Sequence, residues 1–452
     1  MSHTLNTDAL DYFLARGYIS APWTLLREVG KIPSSHALDA KVGGDVKVAR
    51  YAWPTGKPKI SPSTEERNSE IDRLFRQSLK RRVAPDSRTA VGLSGGVDSA
   101  LLTAGLVKLL GEKPDTFTFE YSDYDGVFNE SGEAARIAKY FGVPHYRVLC
   151  RPQHLADRAS ALVAAYGEPF SYGLHSFLLD GVMPGTNPIL TGTGVEPWAV
   201  NRSTYMTLRV KGLPAPLRFL ALQALASARP FAPKFVDRAD NLVWAIRNGL
   251  PSALAPSLMR DAPRHRLFAD PELGRAGTRA TYDVLRTAMA DFKDESDLDQ
   301  FRFLQQRSFG AEGVYAWYTA WSHGYDLQVR HPFLDDDFNA YMMRINLTGI
   351  GKISERAYAA TIMPEEFAHA PKVYHTIPIA SWFRGPMRDF ISSLLESREL
   401  EGVFNRQEVQ NLLTEHLSGR ADHGFTLWGL ASFALWSEQV MHTRARAEAA
   451  LV

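Results

Sequence analysis

Short apolar runs alternate along this chain with stretches in which apolar residues recur every three or four positions. The alternation is clearest between residues 89 and 190. Runs at 89–93, 115–121, 145–149 and 188–190 read as strands. After the first run, Leu102, Leu106, Leu109 and Leu110 lie along one helical face, and Gly111 ends that helix. Ala134, Ile137, Ala138 and Phe141 predict a helix over 131–141, and further helices are expected at 155–166 and 175–181. Strands and helices alternating at this spacing predict βαβ units: an α/β protein with a parallel twisted sheet flanked by helices. Ligands of such sheets sit at the carboxyl ends of the strands.

The flanks read differently. A short helix over 8–17 opens the chain, and a turn-rich stretch follows, with an apolar strand expected at 46–53 and a linker at 54–62. Ser63 and Glu66 form a capping box that starts a helix running to about Arg82, with Ile71, Leu74, Phe75 and Leu79 on its apolar face. Beyond about residue 200 the chain is expected to be mainly helical, giving a helical C-terminal half. A terminal helix over 427–441 packs Trp428, Leu435 and Trp436 inward.

The chemistry concentrates in the turn after the first run. Ser94, Gly95, Gly96, Val97, Asp98 and Ser99 join a strand to a helix start, where unpaired N–H groups and the positive end of the helix dipole favour an anion. The glycines let a phosphate approach the backbone, the two serines add hydroxyl donors, and Asp98 offers an oxygen to Mg²⁺. A corner that needed glycine for geometry alone would not require the flanking serines and aspartate. No Gly-Lys-Ser/Thr closes the turn, so it is not a Walker A loop, and it is not Gly-x-Gly-x-x-Gly.

Composition narrows the class. The 452 residues carry 51 Lys+Arg against 50 Asp+Glu, so nothing favours nucleic acid or an anionic membrane as partner. The basic run at 80–82 fits a helix terminus. The single cysteine, Cys150, excludes an internal disulfide and a Cys-rich zinc site. No signal-peptide pattern or membrane-length apolar run is evident, and a cytoplasmic enzyme is expected.

The turn resembles the pyrophosphate loop of the N-type ATP pyrophosphatases, which have an adenine nucleotide α-hydrolase-like fold. Further stretches resemble the synthetase domain of the asparagine synthetase family over roughly residues 61–440. They are Asn129, Glu130, Ala134, Ala135 and Ala138 with His145; Glu168-Pro169; Val329 to Asp335 against an Arg-x-Pro-Phe-Leu-Asp signature; and Lys352, Arg356, Pro364 and Lys372. Leu427, Trp428 and Trp436 resemble the final helix of that domain. Residues 12–37 resemble the last segment of the family's glutaminase domain, so 1–60 reads as a remnant plus linker and 61–452 as the synthetase domain. The family's glutaminase nucleophile is an N-terminal cysteine, whereas Met1 is followed here by Ser2. The chain is therefore expected to need free ammonia or another amine, or a separate glutaminase.

The resemblance implies adenylation of a small-molecule or peptide carboxylate by ATP with release of pyrophosphate, then attack by an amine. It assigns the nucleotide to Leu93, Ser94, Gly95, Gly96, Asp98, Ser99, Gly192 and Gly194, Mg²⁺ to Asp98 and Glu196, and catalysis to Lys372 and position 193. Glu196 replaces an aspartate of the family's second motif, Ser/Thr-Gly-x-Gly-Ala/Ser-Asp. Thr193 stands where asparagine synthetases carry an acidic residue and β-lactam and carbapenam synthetases a tyrosine. A threonine hydroxyl is a poor base. Another residue, His331 or His375 among them, takes the proton; or the amine arrives neutral and strongly nucleophilic; or the second half-reaction is lost. Arg330 and Asp335 are expected to organise the signature loop and His145 to be structural. A nucleotide-binding partner protein that has lost the reaction is the competing reading.

Overall fold

The computed structural model describes residues 4–51, 58–84, 87–121, 130–174, 186–200, 202–227, 243–244, 246, 257–290, 292–318, 322, 327–347, 350–371 and 377–449. The helix expected at 175–181 lies outside them, as do Lys372 and His375.

The chain opens with α1, Thr7–Arg16, capped by the Asn6 side chain and ended by Gly17 in the left-handed conformation. A hairpin follows, β1 (His36–Ala40) against β2 (Val46–Arg50). Helix α2, Thr64–Arg82, starts at the expected reciprocal capping box of Ser63 and Glu66. Next come β3 (Arg88–Gly92), α3 (Val97–Ala104), β4 (Asp115–Tyr121), α4 (Ser131–Phe141), β5 (His145–Cys150), α5 (Pro152–Tyr166) and β6 (Thr186–Leu190). Helices α6 (Arg202–Lys211) and α7 (Ala215–Ser227) open the helical half, and the short β7, Val329–Arg330, returns to the sheet.

Among the described residues, β3 to β7 make one sheet in the order β5-β4-β3-β6-β7, and every neighbouring pair is parallel. From β3 the chain builds outward through β4 and β5, then crosses to the other side of β3 for β6. The strand order therefore reverses between β3 and β6, which makes the crevice beyond their carboxyl ends the ligand position of such a sheet.

Alternate residues of a strand face opposite ways, and the sheet accordingly divides two apolar cores. Ala90 of β3 and Ile189 of β6 face one core, with Phe117, Phe119, α5 and the terminal helix Gly424–Ala449. Val91 and Leu190 face the other, with α2, α3, α4 and the helices Asp336–Arg344 and Ile353–Ile362. Trp428 and Trp436 are buried as expected, and the Trp436 indole donates to Gly167 O (3.0 Å).

Three expectations change. The strand expected at 46–53 is β2, and its residues are exposed, because the two-stranded hairpin has no third layer to cover Val46 and Val48. The end of the expected linker is docked: Ile60 bonds on both sides to the strand-like segment at Arg344 and Asn346, and Lys59 Nζ meets Asp299 at 2.5 Å. The leucine-faced helix is α-helical only to Ala104. It widens to a π-helical segment, Gly105–Leu110, whose first residue presses its backbone onto Phe75.

Helix α1 packs into both cores, with Leu10 and Phe13 in the first and Tyr12 in the second. Asp11 and Arg264 are fully buried and paired at 2.6 Å, and Thr281 Oγ1 donates to Asp11 Oδ2 (2.8 Å). The helix Pro271–Ala290 comes so close that a Cβ at Gly277 would stand 2.5 Å from Asp11 Cβ.

Candidate active site

Strand β3 delivers the first turn to the crevice. Leu93 continues the pairing with β4 through its N–H to Phe117 O (2.9 Å) and is buried. The turn then braces itself. Ser94 N donates to Ser99 Oγ (3.0 Å), the two hydroxyls lie 3.0 Å apart, and Gly96 N donates to Ser94 Oγ (3.1 Å). Ser99 Oγ also lies 3.2 Å from both Ser94 O and Gly96 O. The serine hydroxyls thus act inside the turn and hold its shape. Gly96 caps α3 without a side chain, so the N–H groups of the first turn of α3 look out at the helix start, with Asp98 among them.

The second turn, after β6, sits directly on the first. A Cβ at Gly192 would lie 2.9 Å from Ser99 N and 3.0 Å from both Asp98 C and Asp98 Cβ, so only glycine allows the approach. Gly194 has φ of 115° and lies against Leu334 of the signature loop. Glu196 Oε2 accepts from Gly194 N (3.1 Å) and so is held by its own turn. Burial raises the Glu196 pKa, and the nearby Asp98 charge adds to the rise.

A lysine from a distant element completes the cluster. Lys352 caps the helix Ile353–Ile362 and donates its ammonium to Asp98 Oδ1; Glu355 Oε2 lies 3.7 Å from the same nitrogen. Burial disfavours the Lys352 charge, but Glu355 and Asp98 outweigh it and raise its pKa. Glu355 is itself pushed far above the usual carboxylate range by burial and by Asp98. Lys352 was visible in sequence only as part of a motif with no assigned role, and Glu355 carried no signal at all. Among the described residues, no set of three or more Asp, Glu, His or Cys side chains is arranged to hold a metal by itself.

Thr193 lies beside another group of side chains. Thr191 Oγ1 donates to Thr193 Oγ1 (3.2 Å) and stands 2.7 Å from His331 Nδ1. Tyr318 is hydrogen-bonded to Thr193, and the rings of Tyr315 and Tyr318 each pack 5.3 Å from the His331 ring. Burial and Arg82 push His331 down to about 4, so its imidazole is neutral at neutral pH.

The signature loop is a brace. Asp335 caps the helix Asp336–Arg344 and pairs with Arg82 (2.8 Å) and Arg81 (3.1 Å). Arg330 donates to Arg82 O (2.6 Å), and Ser78 Oγ donates to Pro332 O (2.5 Å). His145 stands at the start of β5 with its Nδ1 2.9 Å from Thr116 Oγ1, away from both turns. Glu168, the acidic member of the acidic-Pro pair, is paired with Lys31 from the first sixty residues.

Two glycine-bearing turns meeting at the β3/β6 reversal, against the start of a helix, define a doubly wound α/β protein with its ligand crevice at that point. The chain belongs to the asparagine synthase family, whose sequence model matches residues 70–179 and 204–438. The second turn, with Thr193 and Glu196, falls between the matched segments. Asparagine synthetase (glutamine-hydrolyzing) 1 of Bacillus subtilis is 18% identical over 96% of this chain and 68% of its own length. The rat asparagine synthetase (glutamine-hydrolyzing) is 31% identical over 25% of this chain and 23% of its own length. Among solved structures, the NMN synthetase of Francisella tularensis is 18% identical with a TM-score of 0.23, covering 31% of this chain and 58% of that one. Among the described residues, no helix is long and apolar enough to cross a membrane.

Proposed function

We propose that this chain is an AMP-forming carboxylate–amine ligase of the cytoplasm that uses ATP. A carboxylate oxygen of a small-molecule or peptide substrate attacks the α-phosphorus, the α–β bridge breaks, and pyrophosphate leaves. An amine then attacks the acyl carbon, and AMP departs with the bonding electrons. The observation that carries this reading is the seating of Gly192 on Asp98 and Ser99, which brings both glycine turns and the start of α3 to one point.

In this reading the self-braced turn from Leu93 to Ser99 holds the departing pyrophosphate through backbone N–H groups and the helix start. Gly192 and Gly194 let the second turn come within reach of the nucleotide. Mg²⁺ ordinarily takes one or two protein carboxylates plus phosphate oxygens. Asp98 and Glu196 supply that donor set, and the Lys352 ammonium on Asp98 marks the place as one that attracts a cation. When bound, Mg²⁺ supplies neutralisation of charge on the phosphates. Lys352 stays charged between Asp98 and Glu355 and adds a second positive group beside the leaving pyrophosphate. Lys372 is assigned to stabilise charge in both half-reactions.

The single cysteine, Cys150, is buried with its thiol pushed up by burial, which suits a packing residue and not a nucleophile. In this reading the amine is ammonia or another amine, supplied free or by a separate glutaminase. Residues 1–60 are read as the end of a glutaminase-like domain plus linker and 61–452 as the synthetase domain.

The test is product analysis with ATP, Mg²⁺, ammonium chloride and a panel of amino-acid and peptide carboxylates. Stoichiometric AMP, pyrophosphate and amide are expected for at least one acid, and ADP as the nucleotide product would overturn the proposal. A second reading, a nucleotide-binding protein without turnover, is favoured by the occupation of Asp98 by Lys352. Turnover that Asp98→Asn weakens at limiting Mg²⁺ would rule it out.

A further inference from the structure

Two unusual side chains of this site are joined through a third. Thr193 cannot by itself accept a proton near neutral pH. Its hydroxyl lies 3.2 Å from Thr191 Oγ1, which in turn lies 2.7 Å from His331 Nδ1, both within hydrogen-bond range. Each hydroxyl can rotate to donate or accept, so the same three groups can run hydrogen bonds in either direction. The imidazole packs against the rings of Tyr315 and Tyr318, and Tyr318 is bonded to Thr193, so one helical segment touches both ends of this group.

We propose that His331 is the positioning residue of the amine step, the terminal proton acceptor of a relay that runs through Thr193 and Thr191. This rests on the ligase reading above. As the amine nitrogen bonds to the acyl carbon and the bond to AMP breaks, the nitrogen's proton passes to Thr193 Oγ1. The proton of Thr193 passes to Thr191 Oγ1, and that of Thr191 to His331 Nδ1, leaving an imidazolium. An N-protonated amide is strongly acidic, so a weak acceptor suffices. The groups facing the ring keep it neutral between turnovers and make the imidazolium short-lived: Arg82 from α2 repels a second positive charge, and Tyr315 and Tyr318 remain un-ionised. The proton returns to solvent by the same path after product release.

The test separates the half-reactions with the acid giving the strongest wild-type ATP–pyrophosphate exchange in the panel, and with ammonium chloride as amine. Thr191→Val keeps the shape of the side chain and removes only its hydroxyl. It should lower the ratio of amide formation to exchange on the order of 10²-fold, and Thr191→Ser should restore it. His331→Ala should lower the same ratio, and added imidazole should recover part of it. In the wild type, long-range ¹⁵N correlation should show His331 neutral at pH 7 with a tautomer that changes in Thr191→Val. An unchanged ratio in both Thr191→Val and His331→Ala would overturn the relay while leaving the ligase reading intact. Absence of exchange with every acid would overturn the ligase reading and the relay with it.

Discussion

The ammonium of Lys352 donates to Asp98 Oδ1, joining the start of one helix to the first turn of another 254 positions earlier. That bond ties the Ser94–Ser99 turn to the helix Ile353–Ile362, and it puts a cation where the proposed reaction needs positive charge. Glu355, one turn on and buried, holds the same ammonium from the other side.

Lys352→Met should therefore cost the first half-reaction heavily. It removes a charge that offsets the departing pyrophosphate, and losses of this kind are on the order of 10²–10³-fold in kcat. The same change leaves the raised, buried Glu355 beside Asp98 without a cation, so exchange in the variant should weaken further as pH rises and Glu355 ionises. Steady-state exchange from pH 6 to 9 reads both effects.

Asp98→Asn keeps the shape of the turn but weakens cation binding. The Mg²⁺ concentration giving half-maximal exchange should rise by more than about tenfold. A magnesium titration of both proteins at saturating ATP checks it.

Gly192→Ala should fail by geometry. Its Cβ would press on Ser99 N and Asp98 at 2.9–3.0 Å, with backbone on the other side, so the second turn must move off the first. A displacement of this size costs about 10²-fold in rate, with an overpacking penalty of about 1–3 kcal/mol. Exchange kinetics and thermal melting should show a large loss of rate with a modest loss of stability.

The strands and helices from β3 to α5 were legible because each is set by its own residues: apolar runs bounded by turns, then a helical period ended by Gly111, Gly142 or Gly167. The turn from Ser94 to Ser99 was legible for the same reason. The hairpin was not, because Val46 and Val48 read as an apolar strand whether or not a layer covers them. Nor were Lys352 on Asp98 or His331 on Thr191, which depend on helices and loops brought together across the sheet. Asp335 lay between: its motif pointed to a loop brace, and the arginines it braces came only with the fold.

Asp335 gives a pH-dependent test of that brace. Burial opposes its charge, but Arg82 and Arg81 win and hold its carboxyl below the usual range. Its contribution is thus present above the unfolded carboxylate pKa near 4 and is lost as pH falls through the lower folded value. Asp335→Asn should destabilise by about 2–3 kcal/mol at pH 7, less than a fully buried pair because both arginines keep access to water. The difference from wild type should shrink towards pH 3 in urea melts.

If the two glycine turns and Asp98 form an adenylating site, ATP–pyrophosphate exchange reports it. With Mg²⁺ and a panel of amino-acid and peptide carboxylates, at least one acid should drive label from pyrophosphate into ATP, and Asp98→Asn should weaken it severalfold at limiting Mg²⁺. No acid-dependent exchange by a folded chain that binds ATP, or exchange untouched by Asp98→Asn, would contradict the account.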